Sequence, residues 1–305
     1  MVSTGTETTW TVARYAGDDD LEALLGLARR GDPLSEGGAG FQHPGDIVWR
    51  LFQNETVVPE ERIRLVRDRS GAAVGMIGVS SSSFDFFVPP DVPEMAALLR
   101  FMVAQAESMM PDDAAAVCGE VPSHQTTFAE VLRERGYAPT ETPPFFCNLQ
   151  SLVDVEIPAP GHPVRPVGED ELDARTELHR RVWEPSKFSL DGYRRLRERP
   201  VYRPDLDLVA VTPEGDLAAY AIVWWDPETR SGEFEPVGAD ERFRRQGYAT
   251  AVMREGLRRL QALGAERAVV LSDSTPERAP SNALYRATGF APAFTFVDWE
   301  KRPGS

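Results

Sequence analysis

The stretch Glu233-Phe-Glu-Pro-Val-Gly-Ala-Asp-Glu-Arg-Phe-Arg-Arg-Gln-Gly-Tyr-Ala-Thr250 decides the fold. It reads as a strand, a turn carrying Arg244-x-x-Gly247-x-Ala249, and the first turn of a long helix. A helix start leaves backbone N–H groups without partners and carries a partial positive charge, so such a turn binds phosphate. Gly247 lets the backbone approach an anion that a Cβ would hold away. Arg244 and Arg245 add positive charge suited to a diphosphate, whereas Arg242 reads as a solvated neighbour.

Working outward, Ala249, Val252, Met253, Gly256, Leu257, Leu260 and Leu263 recur at three- and four-residue steps, which predicts a helix with one small or apolar face, ended by Gly264. Arg267-Ala-Val-Val-Leu-Ser272 is a short apolar run suited to a buried strand, and Ser281 to Phe290 reads as a short helix closed by Gly289. Neither G-x-G-x-x-G nor G-x-x-x-x-G-K-[ST] occurs near the loop, which excludes the common nucleotide-binding alternatives.

Taken in order, the loop and the block Leu284-Tyr285-x-x-x-Gly289-Phe290 resemble the two signatures of the GNAT superfamily of N-acetyltransferases. The resemblance implies an α/β fold with a mixed sheet, acetyl-CoA as cosubstrate and no metal. It implies cofactor contacts from Val237, Gly238, Ala239, Arg244, Arg245, Gln246, Gly247, Tyr248, Ala249 and Thr250, with Asn282 nearby on the second helix. Many members carry Asn seven residues before the tyrosine; here that position is Arg278.

The chain reads as two such repeats in tandem. Leu132-Arg-Glu-Arg-Gly136-Tyr137-Ala138-Pro139 echoes Tyr285-Arg-Ala-Thr-Gly289-Phe290-Ala291-Pro292. Hairpins are expected at Ile63 to Val79 and, at a similar offset, at Leu208 to Val223. The expected boundaries are a first GNAT-like domain over 1–152, a linker over 153–163 containing Pro158-Ala-Pro-Gly-His-Pro163, and a catalytic domain over 164–305. The first domain is expected to be degenerate. Where the second has its loop, the first has Phe86-Phe-Val-Pro-Pro-Asp-Val-Pro-Glu-Met95, whose three prolines remove N–H donors and whose Asp91 and Glu94 repel anions. Its role is either structural or that of a wall to the acceptor pocket. The tandem layout is similar to that of mycothiol synthase and of two-domain antibiotic N-acetyltransferases.

Composition sets outer limits. The 305 residues carry 48 acidic against 33 basic side chains, a net charge of −15, which argues against nucleic acid or anionic membranes as partners. The start lacks the basic and apolar regions of a secretory signal, no apolar run is long enough to span a membrane, and two cysteines are too few for a disulfide framework. The expectation is a cytoplasmic protein, as a monomer or homodimer.

Acetyl transfer to an amine needs a base, an oxyanion site and an acid for the departing thiolate. Glu233 and Glu235 lie two apart on the strand, so they share one face. Aligned on the loop, Glu233 falls where the histone-acetylating branch of the superfamily has its base and is preferred. Tyr285 matches the tyrosine near the cofactor sulfur, and backbone N–H groups from Val237 to Ala239 are the superfamily's oxyanion donors. The acceptor pocket is expected around Trp183, Phe188, Trp224 and Asp226, an aromatic and acidic set suited to a cationic amine. His43, His124, His162 and His179 show no metal spacing, and His179 reads as helix surface or pocket wall. Cys118 reads as a buried inert thiol, and Cys147 has no evident base, which argues against an acyl-enzyme. The leading expectation is acetylation of a primary amine on a small molecule, such as an amino sugar or basic antibiotic. The alternatives are a protein or peptide amine, and a non-catalytic acetyl-CoA-binding or interaction module.

Overall fold

The structure, a computed structural model, describes residues 10–111, 115–275 and 279–302. In chain order it contains β1 (Trp10–Arg14), α1 (Asp18–Arg29), α2 (Pro44–Phe52), α3 (Pro59–Arg62), β2 (Ile63–Asp68), β3 (Ala73–Val79), β4 (Ser83–Phe87), α4 (Met95–Glu107), β5 (Ala116–Pro122), α5 (Thr126–Glu134), β6 (Ala138–Pro139) and β7 (Phe145–Ser151). There follow β8 (Val164–Pro166), α6 (Leu172–Val182), α7 (Leu190–Arg197), β9 (Asp207–Val211), β10 (Leu217–Asp226), β11 (Ser231–Ala239), α8 (Tyr248–Ala262), β12 (Arg267–Asp273), α9 (Ala279–Ala287) and β13 (Ala291–Lys301). Arg278 lies outside the described residues.

The chain divides into two units that exchange segments relative to the two sequence halves. One unit holds the described residues up to Gln42, Pro59–Thr142 and those from Phe296 onward; the other holds His43–Val58 and Pro143–Thr295. The boundaries expected at 152 and 164 therefore do not coincide with the compact units, and the reason is strand pairing. In the first unit the strands run β1-β2-β3-β4-β5 and then the end of β13, with β6 pairing beside Trp299 and Glu300. In the second they run β8-β9-β10-β11-β12 and then β7. Each sheet is thus completed by a strand from the other half of the sequence.

The two sheets share one topology. The first four strands are antiparallel, the fourth and fifth are parallel, and the sixth is antiparallel to the fifth. The parallel step requires a crossover, supplied by α4 in one unit and α8 in the other. Each unit has its own core. Phe84, Phe86, Phe128, Tyr137 and Trp299 pack in the first; Phe234, Val252, Leu257, Leu260, Tyr285 and Phe290 pack in the second.

The equivalents of the loop differ as their sequences require. In the first unit α4 begins at Glu94, in a left-handed conformation (φ +55°), after three prolines, and Asp91 is paired with Arg30 at 2.8 Å. In the second, Gly247 takes the left-handed conformation (φ +91°) and no side chain caps the start of α8. The helix ends at Gly264 (φ +88°), as its spacing predicts. Among the described residues no helix is long and apolar enough to cross a membrane.

Gly256 sets how closely α8 lies on β11, because a Cβ there would sit 2.5 Å from the Phe234 ring and 2.9 Å from Val223. Gly256→Val should cost about 1–3 kcal/mol through overpacking, measured by urea denaturation, despite removing a glycine from the helix. An unchanged midpoint would contradict this packing.

Candidate active site

The site begins where a ladder ends. The parallel pairing of β11 with β12 covers Ser231, Gly232 and Glu233, opposite Arg267, Ala268 and Val269. On its other side β11 stays paired with β10 as far as Ala239. Among the described residues, the β12-facing edge of β11 beyond Glu233 pairs with no strand, so its backbone groups face an opening between the two strands.

The two faces of β11 carry different chemistry because side chains alternate. Phe234 points to the α8 side, where it meets the Phe290 ring edge-on at 5.9 Å, and Phe290 in turn packs on Tyr285. Tyr285 is nearly buried on α9. Glu233 and Glu235 point the other way, to the side covered by α2 and α6. The expected base and the expected acid thus lie on opposite sides of β11.

Burial controls the glutamates. Glu233 is 1% exposed and its Oε2 has no hydrogen-bond partner. Desolvation holds its carboxyl well above the usual range, and the charges of Asp46 and Glu235 add to this, only partly offset by Arg50 and by the Asp46 backbone N–H. His43 Nδ1 lies 3.6 Å from that Oε2, but it accepts a hydrogen bond from the Gly45 N–H at 3.1 Å. Burial lowers the His43 pKa to about 4, so the imidazole is neutral at neutral pH and supplies no counter-charge. Glu235 is half-buried. Desolvation, and then the Asp46 charge, raises its pKa to about 8, against the opposing effects of Arg50 and of the Trp49 indole N–H that donates to it.

The expected acceptor residues are placed as follows. Trp183 donates from its indole N–H to the Tyr220 hydroxyl at 3.0 Å, and that hydroxyl lies 2.9 Å from His179 Nδ1. His179 is buried rather than at the surface, 4.2 Å ring to ring from Phe188, and burial followed by the Arg175 charge lowers its pKa to about 2. Phe188 packs on Trp49 at 5.6 Å. Trp224 is fully buried and donates to the Glu235 carbonyl at 2.7 Å, which fixes the site strand. Asp226 Oδ2 accepts from the N–H and hydroxyl of Thr229, both at 2.9 Å, and so closes the β10–β11 turn.

At the loop, Arg244, Arg245, Gln246 and Gly247 are exposed, Tyr248 is buried, and Ala249 and Thr250 are half-buried. Arg242 is exposed and bound to Asp240, as is Arg181. Burial acts to raise the Asp240 pKa, but the Arg242 hydrogen bonds outweigh it and lower the value to about 2. Val237 and Ala239 are half-buried, while Gly238 lies against Tyr220 and leaves no room for a Cβ, which would be 2.6 Å from that ring. Asn282 donates to the Asp273 carbonyl at 2.9 Å and ties α9 to the end of β12. An uncapped fifteen-residue helix start, a left-handed exposed glycine and two exposed arginines fit a diphosphate.

Two contributors escaped the sequence reading. His162, in the expected linker, stacks on Tyr248 at 4.2 Å and its Nε2 lies 2.8 Å from the Gln246 carbonyl. The α2 segment supplies His43, Asp46, Trp49 and Arg50. Its one sequence signal is the pair of charged residues Asp46 and Arg50, four apart in an otherwise apolar short helix that follows His43. Cys147, on β7, has its thiol pKa raised by burial and by Glu233, consistent with an inert thiol. Among the described residues no group of three or more His, Cys, Asp or Glu could hold a metal ion.

Residues 172–290 match the model of the Acetyltransferase (GNAT) family, a match that supports an acyltransferase and comes from a family that uses acetyl-CoA. The chain is similar in fold to a GCN5-related N-acetyltransferase from Sphaerobacter thermophilus, at 20% identity over 98% of both chains with a TM-score of 0.61. It is similar also to a tandem GNAT protein from the clavulanic acid biosynthesis pathway (17% identity, 97% of this chain and 99% of that one, TM-score 0.60). A GNAT-family acetyltransferase from Colwellia psychrerythraea has 12% identity, covers 96% and 100%, and gives a TM-score of 0.65. No curated protein matches the sequence.

The glutamates make stability depend on pH with a definite sign. A carboxyl near ~4.3 in the unfolded chain and about 8 in the fold leaves the folded state holding more protons between those values. Its contribution is present below pH ~4.3 and is lost as pH rises through about 8. Urea midpoints at pH 6 and pH 9 should therefore fall more for the natural chain than for Glu235→Gln. Equal falls would refute the assigned environment.

Proposed function

We propose that the protein is an acetyl-CoA-dependent N-acetyltransferase that transfers acetyl directly to a primary amine of a small molecule. The observation that carries this reading is Glu235, a carboxyl with a pKa of about 8, half-exposed at the opening beside the diphosphate loop. A free alkylammonium near ~10.4 must lose a proton before it can attack, and an ordinary glutamate near ~4.3 would accept it some ~6 pH units uphill. With Glu235 at about 8 the difference shrinks to roughly 2 pH units, or ~3 kcal/mol instead of ~8.

In this mechanism the start of α8, with Arg244 and Arg245, holds the cofactor diphosphate. Acetyl-CoA supplies the thioester. Glu235 accepts the proton of the amine, whose nitrogen forms a bond to the acetyl carbonyl carbon. Backbone N–H groups between Val237 and Ala239, on the edge of β11 left by β12, receive the oxyanion. The C–S bond then breaks, and Tyr285 gives its hydroxyl proton to the departing thiolate. Glu233 stays neutral and buried beside it, while desolvation and the Asp46 charge keep Glu235 proton-seeking. Trp49, which donates to Glu235, packs on Phe188, and this aromatic neighbourhood supports a small cationic acceptor over an extended polypeptide.

Calorimetric titration with acetyl-CoA should give one site per chain, abolished by Gly247→Asp. Two sites would overturn the degenerate reading of the first repeat, and no site would end the acetyltransferase reading. Tyr285→Phe should lower kcat roughly 10²- to 10⁴-fold while leaving acetyl-CoA affinity intact. A kcat unchanged in that variant would remove Tyr285 from the role of acid.

A further inference from the structure

Helix α2 belongs by sequence to the first repeat and by packing to the unit that contains the loop. It lies against β10, β11 and α7. Its seat is fixed sterically: a Cβ on Gly45 would fall 2.1 Å from Trp224 Cγ, so only glycine brings the helix this close. Its entry is fixed by His43, which accepts from the Gly45 N–H and whose Nε2 meets the Ser231 carbonyl at 3.3 Å. From that seat α2 presents three groups to the glutamates. The Asp46 backbone N–H reaches the Glu233 carboxyl, the Trp49 indole N–H reaches the Glu235 carboxylate, and the Asp46 carboxylate pairs with Arg50 at 2.8 Å. Asp46 is itself buried, while Arg50 is partly exposed.

We propose that α2 is a working part of the active site, in which Trp49, Asp46 and Arg50 are positioning residues that orient Glu235 and set its readiness to take the proton of a cationic amine. This deepens the acetyltransferase reading and rests on it.

The physical case is a balance of charges in a poorly solvated place. The groups facing Glu235 are Glu233 on its own strand, Asp46, Trp49 and Arg50 on α2, and Tyr220 on β10, which is covered in turn by Arg175 of α6 at 3.5 Å from its ring. Asp46 favours the protonated form of Glu235; Arg50 and the Trp49 donor favour the ionised form. The unpartnered Oε2 of Glu233 is the mark of a buried acid kept neutral by this surrounding. Because Asp46 and Arg50 form an ion pair four residues apart on one helix, α2 brings polarity to the site with little net charge. The negative charge that develops when an ammonium arrives is then that of Glu235 itself. A monocation carried on an apolar or aromatic body is the acceptor class this arrangement selects.

The test uses the full chain labelled with ¹³C at glutamate carboxyls, with signals assigned through Glu233→Gln and Glu235→Gln. Trp49→Phe keeps the ring and loses the donor, and Arg50→Met keeps the stem and loses the charge; each should move the Glu235 titration midpoint up by about one pH unit. Asp46→Asn should move it down by a similar amount. Acetylation of tyramine and of glucosamine, followed as kcat/KM against pH, should show the acidic limb moving with each midpoint while acetyl-CoA affinity stays constant. Midpoints that stay within a few tenths of the natural value in folded Trp49→Phe and Arg50→Met chains would overturn the proposal. If neither amine is turned over and acetyl-CoA does not bind, the acetyltransferase reading fails, and the NMR midpoints still decide whether α2 governs Glu235.

Discussion

The separation of β11 from β12 after Glu233 is the constraint on which the rest of the site depends. Up to that residue two parallel strands satisfy one another's backbone; beyond it one edge of β11 is left to whatever enters the opening. The crossover helix α8 follows β11, and its start has no side-chain cap and is preceded by the exposed Arg244 and Arg245. A strand that lost its partner elsewhere would be a defect. Here it leaves a free backbone edge on the strand that carries the two carboxyls and leads to the start of α8, the arrangement on which the proposed acyl transfer rests.

Those carboxyls are held in an expensive environment. A buried charge must be paired or neutralised, and Glu233 takes the second course because His43, 3.6 Å away, is already committed as an acceptor of the Gly45 N–H. Glu235 sits between the two states because it has partial contact with solvent, a donor in Trp49 and a cation in Arg50. The difference between the two glutamates, adjacent on one face of one strand, is therefore a matter of which groups of α2, β10 and α6 cover each of them. Alignment on the loop favoured Glu233 as the base, whereas exposure favours Glu235.

Much of the second repeat was legible from its residues. The left-handed glycine before α8, the apolar stripe along it, Gly264 after it and Gly289 after α9 are local signals, each enforced by backbone sterics within a few residues. The matching hairpins of the two halves were legible for the same reason. Asn282 and Asp226 were legible as polar residues near the site, yet their bonds to the Asp273 carbonyl and to Thr229 could not be read, because neither partner is specified by spacing. The boundaries of the compact units were also beyond reach. A strand's hydrophobic pattern says that it is buried but not beside which neighbour, so the exchange of β7 and the end of β13 left no mark in the sequence.

By itself, then, the sequence determined the local devices: the glycine turn before α8, the paired glutamates, the Leu-Tyr and Gly-Phe helix, and the three prolines at the equivalent place in the first repeat. Each depends on residues close together in the chain, where backbone geometry and side-chain period are fixed by covalent structure. Tertiary structure alone decided which side chains cover the glutamates. Asp46, Trp49 and Arg50 lie far from Glu233 in sequence and reach it only because Gly45 fits against Trp224, and the proton affinity of a carboxyl depends on the solvent and charges around it in space.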